Sequence, residues 1–294
     1  MPKTSSAHLD VITTAIAPAI WGTSYLVTTE LLPADYPLHV AMLRALPTGI
    51  LLLLFVRQLP QGIWWLKVFV LGALNFSVFW WLLFEAAYRL PGGVAATLGA
   101  IQPIVVIFLA RGLLGTPIRT VAILAALIGL IGVALLILKP TANLDPVGLL
   151  AGFGGAFSMA LGVILSRKWQ ASASLLTFTA WQLTAGGLLL LPAAILLEPA
   201  LPPLTGQNVV GLLYLSLIGA AFTYVVWFRG IARLQPSVVS TLGFLSPMTA
   251  VILGWMILDE HLNSWQLLGL ILVLASVWLS QTKWSILNKA AQHV

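Results

Sequence analysis

Ten stretches of this chain stay apolar long enough to leave little choice of fold. They lie near 9–29, 36–56, 66–88, 92–112, 119–138, 146–167, 174–197, 208–230, 237–258 and 264–283. Each is close to the roughly 20 residues that a helix needs to cross the hydrocarbon core of a bilayer. The strands of a membrane barrel would instead alternate apolar and polar residues over about 10 positions. Only 7% of the residues are charged and 60% are apolar, whereas a soluble domain carries roughly 25% charged residues to cover itself. The pattern predicts an all-α polytopic membrane protein with ten transmembrane helices.

The connections are short and rich in proline, with Pro33, Pro37, Pro60, Pro91, Pro117, Pro140, Pro146, Pro202, Pro203 and Pro236 in or beside them, where a missing N–H costs little. They leave no room for a soluble domain. The first apolar run exceeds the roughly 7–15 residues of a secretory core segment, so it reads as a retained helix. Counting loops from the N-terminus, one side holds Lys3, Arg57, Lys67, Arg111, Arg119, Arg167, Lys168, Arg229, Arg233, Lys283 and Lys289. The other side holds Arg89 and Lys139, and Arg44 lies inside a span. That bias predicts cytoplasmic termini. It also explains the net charge of +6 without nucleic acid as a partner. The lipid bilayer is the expected partner. There are no cysteines, hence no disulfide or thiolate metal site, and neither a metal nor a cofactor is expected.

The chain repeats itself. VAATLGAIQPIVVIFLAR (94–111) returns as VVSTLGFLSPMTAVILGW (238–255), 144 positions later. The same offset pairs Phe84 with Phe228 and Arg89 with Arg233, and Ala125 and Gly132 with Gly269 and Ser276. At a slightly smaller offset MLRALPTGILLLL (42–54) lies over AWQLTAGGLLLLP (180–192), which puts Arg44 over Gln182. Likewise AIWGTSYLV (19–27) lies over AFSMALGVI (156–164). Two five-helix repeats follow, 1–144 and 145–294. A copy with an odd number of spans enters the membrane inverted, and inverted repeats are the architecture of alternating access. This organisation points to a transporter.

Each copy carries a Gly-x-x-x-Pro bend, Gly99–Pro103 and Gly243–Pro247, about eleven residues into its span. A helix-interior proline frees the carbonyl four residues back. In a membrane such a group is tolerated only against protein or a water-filled cavity. Thr97, Gln102, Thr241 and Ser246 put polar side chains within about a turn of the bends. Two readings stand: cavity-lining helices, or structural bends satisfied by their neighbours.

The WGTSYLV start of helix 1, LRALPTGILLLL of helix 2 and both TLG-x-x-x-P helices resemble EamA-type drug/metabolite transporters. So does GWMILDEHLNSWQLLGLILVLASVW, with Gly254, Glu260, Leu262 and Gly269 at that family's closing spacing. The resemblance covers nearly the whole chain. It implies a cavity bounded by helices 1, 3, 4, 6, 8 and 9, with 5 and 10 peripheral, in a bacterial inner membrane. It further implies export of small metabolites, nearest in flavour to the exporters of amino acids, aromatic ones included. Thr116, in GLLGTPIR, departs from the family by standing where many relatives repeat the acidic residue seen here as Glu260.

Candidate substrate contacts are Trp21 on helix 1, Asn75 and Phe79 on helix 3, and Tyr224 on helix 8, because mostly apolar pockets with sparse polar groups suit an amphipathic small molecule. Met159 at the middle of helix 6 reads as compliant cavity wall or as core filler. Trp64 and Trp65 read as an interface belt. Ionisable groups at depth are few. Arg44 binds a substrate carboxylate, snorkels outward, pairs with Asp35 or serves the structure. Glu85, one turn from Arg89, pairs with it or is the sole candidate for proton coupling. A neutral or zwitterionic substrate moving down its own gradient is therefore expected. The alternatives are a proton-coupled exporter of cationic drugs and a nucleotide-sugar or phosphate carrier, which would need deep basic residues. The four histidines lie near span ends or in tails, no phosphate loop occurs, and no paired acids sit at depth, so an enzyme is not expected. Small residues on helices 5 and 10 serve packing within the protomer or against a second one, and a monomer fits the pattern.

Overall fold

A computed structural model of the chain describes residues 4–90, 97–137, 145–170, 172–257 and 261–290. Among these, ten helices are long and apolar enough to cross a membrane. We label them α1 (Thr4–Leu31), α2 (Pro37–Val56), α3 (Trp64–Gly72, Ala73–Ser77 and Val78–Arg89 in continuity), α4 (Thr97–Leu114) and α5 (Thr120–Ile137). The remainder are α6 (Pro146–Lys168), α7 (Leu175–Leu197), α8 (Gly206–Leu213, Tyr214–Phe222 and Thr223–Arg233 in continuity), α9 (Pro236–Leu242 and Leu245–Ile257) and α10 (Ser264–Ala290). The tenth helix thus runs past its expected end at 283. Pro91, Lys139, Pro140 and Glu260 lie outside the described residues.

The helix ends obey local chemistry. Asp145 accepts from the backbone N–H of Val147 and Gly148, each at 3.3 Å, and caps α6. Ser174 caps α7, and Thr205 and Asn208 close a reciprocal box at the start of α8, each satisfying donors that a helix N-terminus leaves free. Gly115, at φ +68°, ends α4 in the left-handed conformation that lacks a Cβ penalty.

Polar contacts between helix ends sort into two faces. At one, Asp10 of α1 pairs with Arg229 (2.5 Å) and Arg233 (3.3 Å) of α8, and Arg119 donates to Gln235. Arg167 donates to the Leu234 carbonyl, and Trp181 to that of Gln58. At the other, Arg89 reaches Asp145, Asn208 donates to Leu31, and Gln266 to Leu136. There too Glu198 accepts from Leu38 N (2.6 Å), His39 N (2.9 Å) and the His39 ring (2.7 Å). Each contact joins ends that an up-and-down ten-span chain brings to the same face.

The packing is inside out relative to a soluble bundle. Phe55 and Leu196 are more than three-quarters exposed, while Thr14, Asn75, Gln182, Thr223 and Thr241 are buried. The most extensive helix pairs are α2 with α7 and α5 with α10. Small residues make both possible: a Cβ on Gly187 would stand 2.6 Å from the Leu46 Cα, and one on Gly269 2.7 Å from the Gly132 carbonyl. Ser276 donates to the Ala125 carbonyl at 2.6 Å across the α5–α10 contact. The small residues of these helices therefore pack within the protomer. Three further pairs recur when five is added to each helix number: α3–α6 with α8–α1, α4–α6 with α9–α1, and α3–α7 with α8–α2.

Candidate substrate cavity

Four irregularities in the backbone shape the interior. The helix α4 breaks at 100–101 and α9 at 243–244. At both breaks the ladder tightens: Ala100 N donates to Thr97 O at 3.1 Å, and at the matching place Phe244 N donates to Thr241 O at 3.2 Å. The carbonyl freed by Pro247, that of Gly243, takes the N–H of Ser246 at 3.1 Å. The other two irregularities are widened π-turns, Ala73–Ser77 in α3 and Tyr214–Phe222 in α8. A π-turn holds an extra residue, so it leaves backbone carbonyls misaligned with the ladder and rotates the helix faces beyond it.

Between the bends lies a cavity of about 400 Å³. Its wall comes from six helices: Trp21 and Gly22 of α1, Phe79 and Leu83 of α3, Gly99, Ala100, Gln102 and Pro103 of α4, and Met159 of α6. Trp227 of α8 and Ser240, Gly243, Phe244, Ser246, Pro247 and Ala250 of α9 complete it. Among the described residues, α5 and α10 contribute none to this wall. Among the described residues, none that lines the cavity is ionisable. The polar groups are the hydroxyls of Ser240 and Ser246, the Gln102 amide and the two indole nitrogens. The Gln102 Nε2 and the Trp227 Nε1 are buried without a hydrogen-bond partner. Unpaired donors in such a place are costly to the fold, about 1–3 kcal/mol each, unless a ligand or water takes them up.

Of the residues expected at the site, Trp21, Phe79, Gln102, Met159, Ser246 and all four bend residues do line the cavity. Asn75, Thr97, Tyr224 and Thr241 do not. Asn75 is buried in the α3 π-turn, where its Nδ2 donates to Gln182 Oε1 (2.8 Å) and Ser166 Oγ (3.1 Å). Tyr224 lies behind the wall, its ring 5.0 Å from Trp21 and 4.6 Å from Phe76. Thr241 turns back onto the Val238 carbonyl. Trp64 packs against Phe178 and Trp181 while Trp65 is exposed. Sequence reasoning missed Gly22, Leu83, Ala100, Trp227, Ser240, Phe244 and Ala250. A Cβ on Gly22 would meet the Ser246 carbonyl at 2.5 Å, which lets α1 run against the α9 bend.

Arg44 neither snorkels nor pairs with Asp35. Its guanidinium donates to the Gly219 carbonyl in the α8 π-turn and lies 5.3 Å from the Trp80 ring centroid. The same carbonyl accepts from Thr223 Oγ1 at 2.8 Å and Trp21 Nε1 at 3.2 Å, and Trp21 also donates to Thr223 at 2.9 Å. Glu85 stands apart from the cavity in an exposed pair with Arg89 at 2.5 Å. Beyond the end of its span, the Arg89 guanidinium is held above its ordinary pKa by its hydrogen bond to Glu85.

The sequence was compared with known proteins. Protein PecM of Dickeya dadantii is 46% identical over 267 residues, which cover 90% of each chain. The WAT1-related protein At3g02690, chloroplastic, of Arabidopsis thaliana is 31% identical over 275 residues, covering 88% of this chain and 66% of its own. A solved crystal structure of 19% identity superposes with a TM-score of 0.79, covering 92% of this chain and 96% of the other, and so shares the fold. The model of the EamA-like transporter family matches twice, at residues 9–138 and 146–282. With its ten spans and a family match over nearly all of its length, this chain belongs to the EamA-like transporter family and is a multi-pass membrane transporter.

Proposed function

We propose that this chain exports small neutral or zwitterionic amphipathic metabolites, amino acids and aromatic amino acids among them, across a bacterial inner membrane. Both termini face the cytoplasm, on the strength of the basic-residue bias. The observation that carries the reading is the cavity wall: among the described residues it is an aromatic and aliphatic surface with one amide, two hydroxyls and two indole N–H groups, and no ionisable side chain. Such a wall matches an amphipathic ligand with few hydrogen-bonding groups, and about 400 Å³ falls at the small end of ligand pockets. A cation would find no carboxylate there, and a phosphate no cluster of basic residues.

Transport proceeds by alternating access of two inverted five-helix halves, 1–144 and 145–294. The double family match and the recurrence of helix pairs after five helices both support that organisation. The described residues of the wall offer coupling to protons no group to run through, which supports a facilitative carrier.

The test is counterflow in proteoliposomes with the pH gradient collapsed, reading uptake of a labelled aromatic amino acid against a panel of unlabelled amino acids and cationic dyes. Exchange with neutral and aromatic amino acids is expected. Movement of cations alone, and only with a pH gradient, overturns the reading in favour of proton-coupled drug export.

A further inference from the structure

The two π-turns are contacted by residues that the internal repeat makes equivalent. Gly219 in α8 is the 144-residue counterpart of Asn75 in α3. At the first, Arg44 of α2 donates to the Gly219 carbonyl; at the second, Gln182 of α7 accepts from the Asn75 side-chain amide. Arg44 and Gln182 stand at equivalent positions in the aligned helices. Each turn also accepts a donor from the first helix of a half: Trp21 Nε1 onto Gly219 O, and its counterpart Ser158 Oγ onto Leu74 O at 2.9 Å. The helix pair α2–α7 thus clamps the widened turns of α3 and α8 from between them. In one half the clamp is a cation and in the other a neutral amide.

Arg44 is a cation within the span, yet among the described residues it makes no ion pair. Its contacts are a carbonyl and an aromatic face, which call on its reach and its N–H groups. The carbonyl it holds also accepts from Trp21, which is in the cavity wall. We propose that Arg44 is a positioning residue for substrate: it fixes the Gly219 carbonyl and, through it, the Trp21 indole, acting as a hydrogen-bond donor and not as a charge for a substrate carboxylate. The inference rests on the reading of the cavity as the substrate site. It also assigns the aromatic wall a fixed geometry, since the Trp21 ring is held 5.1 Å from that of Trp227 by a bond network that originates two helices away.

Three substitutions separate the two roles. Lys at 44 keeps donor and charge, Gln keeps a donor alone, and Leu keeps neither. In counterflow, Arg44→Lys and Arg44→Gln are expected to stay within about threefold of the wild-type KM. Arg44→Leu is expected to raise KM about tenfold, the value of one hydrogen bond, with Vmax within about threefold. Trp21→Phe should raise KM as Arg44→Leu does, and the double variant should add nothing further, because both remove one coupled contact. The same cycle is read independently in the thermal unfolding of the purified proteins, where the two destabilisations should again fail to add. Arg44→Gln falling to the level of Arg44→Leu while Arg44→Lys is spared overturns the proposal and makes Arg44 an anion site. So do losses that multiply in the double variant. Should Arg44→Leu not fold, the Lys and Gln variants decide. A wild-type protein that exchanges no substrate overturns the functional reading, and additive shifts in unfolding temperature then overturn the clamp separately.

Discussion

Because the Nε2 of Gln102 is buried in the cavity wall without a partner, its amide costs the folded protein stability in the absence of a ligand. Exchange for a side chain of similar length without that donor, Gln102→Met, is expected to leave the unfolding temperature unchanged or higher, since an unpaired buried donor costs about 1–3 kcal/mol. Counterflow with the same variant should show a raised KM. A fall in stability would mean that the amide is satisfied within the fold. Gly187 behaves oppositely. A methyl there meets backbone atoms of Leu46 at 2.6 Å, which cannot rotate away, so Gly187→Ala should destabilise by about 1–3 kcal/mol, read as a lower unfolding temperature in detergent. At this scale the sequence was informative where chemistry and position coincide. Gln102, Ser246 and Trp21 have the right side chains on the right helices and reach the cavity. Asn75 and Tyr224 have equally suitable side chains, but each lies in or just past a π-turn. Extrapolating a 3.6-residue period across an inserted residue misplaces a face by about 100°, and Trp227 takes the place expected of Tyr224. Nor could the sequence disclose that Arg44 meets Gly219, because a backbone carbonyl 175 residues away leaves no mark in the residue type.

The element scale contrasts bends that announce themselves with turns that do not. Each Gly-x-x-x-Pro bend was visible as a spacing, and each breaks its helix where that spacing lies. The π-turns, ALNFS and YLSLIGAAF, share no proline and no common motif. What marks them is what meets them in space, namely Arg44, Trp21, Ser158 and Gln182. The bends are the better target for mutation. Pro247→Ala restores an N–H that can return to the Gly243 carbonyl and compete with the Ser246 bond observed there. A proline inside a helix costs about 3 kcal/mol, so part of that should reappear as a higher unfolding temperature. The straighter α9 would press Ser246 and Phe244 into the cavity, and Vmax should fall several-fold in counterflow. Equal stability and unchanged Vmax would show that the bend is passive.

For the whole molecule, the ten spans, their order and the six helices around the cavity were all legible, the spans from hydropathy and the cavity helices from family resemblance. Which way the bundle sits in the membrane is our proposal from the basic residues, and the absence of native cysteine makes it directly measurable. A single cysteine in place of Thr116 should react with an impermeant maleimide only after the inner face is exposed, and one in place of Asp35 should react in intact cells. The reverse pattern would invert the proposed orientation. The uncharged wall of the cavity has an electrical consequence as well. Carrying one elementary charge through 100 mV involves about 2.3 kcal/mol, but the described residues of this cavity bring no side-chain charge of their own to accompany its cargo. For a zwitterion, loaded and empty carriers then cross the field alike. Solid-supported membranes should record no current during exchange of a zwitterionic amino acid, and clamping the voltage with valinomycin and potassium should leave the rate unchanged. A cell using such a carrier spends none of its membrane potential on export: the pool inside drains at a rate set by its own excess and stops when the two sides are level.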